Sequence, residues 1–175
     1  MSIGVRRFAA AWSAVTWLIT LVVIGVVVVV VGSVLSRVEN ASPEDTAGRA
    51  ALIAVAFVVP VVLLIAVVFA PLGYTVDDVG TIVNRMGPKV CILHDEIAEI
   101  RRIGRRDLGF CVRLGGSGGF FGWFGRFWST RLGHHRMYAT NSRDLVYIER
   151  VDGTKVILSP FPADVFIAAV EEAKG

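Results

Sequence analysis

Charged residues are absent between Arg7 and Arg37, and again between Arg49 and Asp77. About 20 apolar residues at 1.5 Å rise cross the roughly 30 Å hydrocarbon core of a bilayer, so each gap has room for a full helix. The pattern predicts membrane spans over about 11–35 and 50–71, joined by an outer loop at 36–49. Val26 to Val31 is an unbroken valine run. Valine is a mediocre helix former in water, but lipid forces the backbone to satisfy its own hydrogen bonds. The first run is also too long for a signal peptide, whose apolar core is about 7–15 residues, and no A-x-A site follows it. The second span has a readable start at "SPED", with Ser42 as N-cap, proline at the first helical position and acids in the first turn. Pro60 should kink it.

After Leu72 the period changes. "GYTV", "DDVG" and "TIVNR" alternate apolar and polar positions around a turn, and "MGP" separates them from "KVCIL". "HDEIAEIRRI" sets Ile97, Ile100 and Ile103 at roughly helical spacing, with a short irregular strand as the alternative. "GFCVRL" reads as a strand with Phe110, Val112 and Leu114 on one face. "HHRMYAT" and "LVYIER" follow, and Asp152-Gly153 joins the latter to "KVILS" in the strongest hairpin signal of the chain. "SPFPADVFIAAVEEA" then predicts a helix with Val165, Phe166, Ala169 and Val170 as its apolar face. The expected organisation is an α+β chain: a two-helix anchor, 1–71, and a domain, 72–175, of about seven short strands closed by one helix.

One segment stands apart. "GGSGGFFGWFGRFW", Gly115 to Trp128, sets six glycines among six large aromatics. Together with "GYTVDDVGTIVNRMGP", "MYATN" and "SPFPADVFI", it resembles the bacterial pleckstrin-homology-like domains of membrane-anchored proteins, over about Gly73 to Val170. The resemblance implies a bent antiparallel barrel plugged at one end by the C-terminal helix. It implies binding or assembly as the activity, and it brings no catalytic residue set.

Charge adds orientation. Arg6, Arg7, Arg85 and Lys89 flank the spans on one side, against Arg37 and Arg49 in the loop. By the Lys/Arg bias, both termini are expected in the cytoplasm of a bacterial inner-membrane protein. Trp12, Trp17 and Tyr74 are then expected at the inner interface. Neither span holds an ionisable residue, so an intramembrane transport path is not expected. Ala47 with Ala51, and Ala50 with Ala54, offer small-residue packing to a helical partner. Cys91 and Cys111 are expected to be reduced thiols in core sites.

Net charge is only +3, yet between Arg101 and Arg143 nine arginines stand against one acid, Asp107. Arginine pairs bidentately with phosphates and stacks on rings. Arg113, Trp123, Phe124, Arg126, Trp128, Arg131 and Arg136 are the candidate binding residues, for anionic lipid headgroups or for a membrane-protein partner. A homo-oligomer assembled through the aromatic segment is the alternative. Most of the rings are expected to pack inward, with the glycines allowing close backbone approach.

Catalytic and cofactor chemistries find little support. Ser117 matches G-x-S-x-G formally, but no acid lies between it and the last histidine, His135, so it reads as a turn serine. No phosphate loop is present. Cys91, His94, Cys111, His134 and His135 lack metal-ligand spacing, and no cofactor is expected. Arginine with interleaved aromatics also suits single-stranded nucleic acid, but the strand order is wrong for it.

Overall fold

The computed structural model describes residues 4–10, 12, 14–40, 46–119 and 121–175. The capping residues Ser42 to Asp45 lie outside the described residues, as does Phe120. Two apolar helices, α1 (Ala14–Asn40) and α2 (Thr46–Phe69, with Pro60 inside it), pack against each other. Both are long and apolar enough to cross a membrane.

A strand precedes them. β1 (Arg6–Ala10) turns Phe8 and Ala10 inward and leaves Arg6, Arg7 and Ala9 exposed, the period of a half-buried strand. It pairs antiparallel with β2 (Gly73–Val76), with Arg6 opposite Val76 and Ala9 opposite Gly73. Its other edge takes β11 (Pro160–Phe161). The sheet continues through β3 (Gly80–Asn84) and β4 (Val90–Leu93), giving the order β11-β1-β2-β3-β4. The sequence signal at Arg6–Ala10 was hidden because its alternation runs straight into the apolar run of α1.

The second sheet comprises β5 (Ile97–Ile103), β6 (Cys111–Gly118), β7 (Trp123–Ser129), β8 (Gly133–Ala139), β9 (Leu145–Arg150) and β10 (Lys155–Leu158). Its order is β5-β9-β10-β8-β7-β6. The described strands number eleven rather than about seven, and the two sheets do not close into a barrel. Nor is the pairing wholly antiparallel. Residues 140–144 carry the chain one strand-width past β8, and the Asp152-Gly153 turn folds β10 back into the gap. Val156, Ile157 and Leu158 therefore run parallel to Arg136, Met137 and Tyr138.

The "HDEIAEIRRI" segment is the irregular strand. Ile97 and Ile103 are buried at opposite ends of β5, and a bulge between Ile97 and Glu99 sends them into different cores despite their even spacing. A short helix, α3 (Arg105–Leu108), follows it and tucks Leu108 under the outer face of the six-stranded sheet.

The main core lies between the sheets and α4 (Ala163–Lys174). Phe166, Ala169 and Val170 of α4 are fully buried, whereas Val165, expected on the same face, is exposed and Ala163 takes the inward position. Phe166 receives the edges of Phe8 and Tyr74 at ring distances of 5.2 and 6.1 Å. Tyr74 is 0% exposed, so it is a core residue and not an interfacial one. Its hydroxyl donates to the Tyr138 carbonyl at 2.6 Å and accepts from the Ser159 amide at 3.1 Å. Burial pushes its pKa up to about 12.

Two outcomes follow from these contacts. Phe8→Ala should lower stability by about 3 kcal/mol, the usual loss for a buried phenylalanine. A chain reduced to 72–175 should have a lower urea midpoint than one in which residues 4–10 are joined to 71–175 by a short Gly/Ser linker; equal midpoints would refute the role of β1. The second outcome concerns His94, buried with Nε2 3.3 Å from Thr81 Oγ1 and no partner for Nδ1. Burial holds its pKa below the ordinary histidine value, against the pull of Asp77 and Asp95, and burial does the same to His135. The unfolded chain thus binds these protons first, so stability is full above about pH 6.5 and falls as the pH drops below it. Thermal melts at pH 7.5 and 5.0 should show the loss, with a shallower slope in His94→Gln.

Candidate binding surface

β6 and β7 form a hairpin with Gly119, Phe121 and Gly122 of the glycine-aromatic segment at its tip. Gly116 and Gly125 sit directly opposite each other with φ of 110° and 121°. A Cβ on either would lie 2.1 Å from a carbonyl oxygen of the facing strand. Only a residue without a side chain permits that approach. Gly115, one position away, has open space around it.

The rings divide as a β-strand requires, on alternate faces. Phe124 enters the main core and Phe127 enters a second core on the outer face, at 6% and 3% exposure. Trp123 is half-buried against that outer core. Phe121 is half-buried near Trp12, ring edge to face at 6.2 Å. Trp128 is exposed. Among the described rings, inward packing therefore dominates, and Phe124 is removed from the surface by its burial.

The tip rests on the helices. The Thr20 hydroxyl accepts the Phe121 amide at 3.4 Å, and Thr16 Oγ1 donates to the Thr140 carbonyl at 2.8 Å. Both threonines are buried there, although they belong to the apolar run of α1. Further along the hairpin, Gly116, Phe124 and Gly125 meet Val62, Ile65, Ala66 and Phe69 of α2 around a cleft of about 320 Å³.

The candidate arginines fall into separate groups. Arg126 and Arg136 are directly opposed on β7 and β8, and Trp128 faces His134 two positions on. By register these share the face that α2 crosses at Phe124 and Tyr138. Arg126 and Arg136 line an open pocket of about 540 Å³ with His134, Lys155 and one acid, Asp152. Arg113 and Trp123 lie instead on the outer face, beside Arg105 and Cys111. Arg131 sits in the turn between β7 and β8. Of the nine arginines, Arg101 pairs with Glu99 at 2.7 Å, and Arg102 pairs with Asp144 and Asp164 at 2.5 and 2.8 Å. The other seven make no ion pair among the described residues. Like charges directly across a ladder repel, so Arg126 and Arg136 destabilise the empty sheet slightly.

Cys91 and Cys111 are exposed free thiols, not core fillers, and burial by neighbours together with nearby acids raises the pKa of Cys91. Cys111 Sγ lies 4.0 Å from His135 Nε2, but no group of three or more metal-ligating side chains comes together among the described residues. Ser117 is a buried strand residue opposite Phe124, not a turn serine, and it stands in no strand-to-helix elbow. The sequence reading missed Arg85. It stands in the turn after β3 with its guanidinium 5.3 Å from the Phe69 ring and 5.6 Å from the Tyr138 ring.

Comparison with known families matches the bacterial PH domain over residues 72–174, more than half of the chain. The chain belongs to the bacterial PH domain family. No curated protein and no solved structure matches it. Family membership suggests a non-enzymatic binding module. The matched span of this PH domain begins at β2, so the strand that completes its first sheet, β1, comes from outside the matched region and from across both helices.

A matched pair of substitutions tests the hairpin. Gly125→Ala forces a Cβ into the Gly115 carbonyl and should lower the melting temperature markedly, by several degrees at about 1–3 kcal/mol. Gly115→Ala should change it little. Similar shifts in both would show that the close approach does not constrain the hairpin.

Proposed function

We propose that this chain is a membrane-anchored PH module, non-catalytic, whose hairpin face carrying Arg126 and Arg136 engages anionic lipid headgroups. The observation that carries the reading is that opposed pair, which makes no ion pair among the described residues, on the face that α2 crosses. Anchoring is supported by the helices themselves. Leu18, Val28, Phe57 and Leu64 are all more than 60% exposed along surfaces that none of the described residues covers, an arrangement that water disfavours and lipid accepts. The β1–β2 ladder requires both ends of the helical pair to return to one side. The Lys/Arg bias assigns that side to the cytoplasm of a bacterial inner membrane.

Each basic group near an anionic leaflet contributes about 1 kcal/mol, fading within a Debye length of about 8 Å at physiological salt. The rejoined chain lacking α1 and α2 should therefore float with anionic vesicles and not with neutral ones, and salt should release it. Arg126→Gln with Arg136→Gln should weaken that binding by about 2 kcal/mol, roughly thirtyfold. Binding that ignores salt and lipid charge would defeat the reading.

One observation favours a second reading, self-assembly. β6 is an edge strand, and Phe110 just before it and Val112 and Leu114 within it are 70%, 38% and 56% exposed. Unpaired apolar edges invite another strand. Sedimentation of the same chain without lipid should give a concentration-independent monomer if lipid is the partner, and a dimer or larger species if the β6 edge is.

A further inference from the structure

The basic face leaves one feature unused, the cleft between α2 and the hairpin. Its helix side is Val62, Ile65 and Phe69, and its sheet side is Phe124, Tyr138 and the bare backbone of Gly116 and Gly125. At about 320 Å³ it is near the lower end of small-molecule sites. It opens onto the length of α2 that the protein leaves uncovered, since none of that apolar window is buried.

Arg85 closes one end. Its Nε donates to the Pro88 carbonyl, and its guanidinium lies against the rings of Phe69 and Tyr138. The turn that bears it is fastened to α2, because the Gly87 amide donates to the Val68 carbonyl at 2.8 Å. No carboxylate pairs with Arg85 among the described residues. A half-buried cation held near two rings loses little freedom on binding an anion, and its remaining N–H groups suit phosphate. A soluble anion would satisfy Arg85 and leave the apolar walls bare. An occupant with a charged head and a hydrocarbon tail, reached from the lipid, satisfies both.

We propose that this cleft holds one anionic phospholipid, with its phosphate on Arg85 and an acyl chain along Val62 to Phe69. The inference rests on the anchoring reading above but not on the Arg126–Arg136 face.

The test is native mass spectrometry of the full chain in mild detergent, loaded with phosphatidylglycerol or phosphatidylcholine. The expected result is a single phosphatidylglycerol retained under activation that strips phosphatidylcholine. Arg85→Gln should reduce that retention about tenfold, the loss of a charge-assisted hydrogen bond. Arg85→Lys should keep part of it. Val62→Trp, at a position already exposed on α2, should obstruct the cleft and lower retention without replacing a core residue of the domain. Equal retention of both lipids by the wild-type chain overturns the cleft, as does retention that survives both Arg85→Gln and Val62→Trp. Should Arg85→Gln not fold, the Val62→Trp result decides. A chain that is soluble and monodisperse without detergent removes the anchoring reading and this inference together.

Discussion

The ladder between β1 and β2 is the constraint on which the other parts depend. Arg6 to Ala9 pair with residues that follow two long helices, and their hydrogen bonds form only if those helices fold back as a hairpin. Closing a loop of that length carries an entropic penalty that grows slowly with length. The packed helix pair removes most of the loop's freedom, so the strands meet as if joined by a short connection. The ladder then places Phe8 on Phe166 and gives α4 a floor. Without β1, β2 would be a sheet edge and β11 would have no partner in its sheet. Helices and domain are thus one folding problem, although the family match divides them at residue 72.

A line of hydrogen bonds carries the same coupling inward. Thr16 on α1 holds the Thr140 carbonyl, the Thr140 amide holds Ser159 Oγ at 2.8 Å, and the Ser159 amide holds Tyr74 Oη. Tyr74 in turn reaches Tyr138 across the seam between the sheets. Every side chain in this line is buried. Polar groups in such a place are tolerable only when each finds its partner, which makes the arrangement specific as well as stabilising. A shift of α1 relative to the sheets would break the bond from Thr16 to the Thr140 carbonyl. The helices are therefore joined to the domain by a buried contact as well as through the chain.

Much of this was legible in the sequence, and the exceptions have physical causes. The two apolar helices, the β2–β3 hairpin, the Asp152-Gly153 turn and α4 all stand where period and turn residues put them, because each is decided by local chemistry. The PH domain family was likewise readable from the glycine-aromatic segment and its neighbours. β1 was not, since a five-residue strand beside a long apolar run has no separate signature. The parallel insertion of β10 escaped for another reason: hairpin signals fix a strand's sequential partner but not its second neighbour. Tyr74 was assigned to the interface by its position after a span, whereas its burial depends on Phe166, some ninety residues later. Of the seven candidate site residues, strand alternation brings Arg126, Trp128 and Arg136 together and sends Arg113 and Trp123 to the opposite face. The sequence listed their chemistry; only the bulge between Arg113 and Gly115 and the pairing register decided their sides.

Tethering changes how strong the basic face needs to be. A free domain with two or three arginines at about 1 kcal/mol each would bind a bilayer only marginally. If the two helices anchor it as proposed, the domain is already at the surface, and its effective concentration there replaces most of the missing affinity. The charges then act on tilt. α1 extends over 27 residues, about 40 Å, which exceeds the hydrocarbon core by roughly 10 Å. On the proposed anchoring, an excess of that length would set the part of α1 bonded to Phe121 through Thr20 in the headgroup zone while the rest of α1 spans. The hairpin would then bring Arg126 and Arg136 within a screening length of lipid phosphates. Weak, uncompensated charges suffice for a domain in that position, and strong internal ion pairs would cancel them.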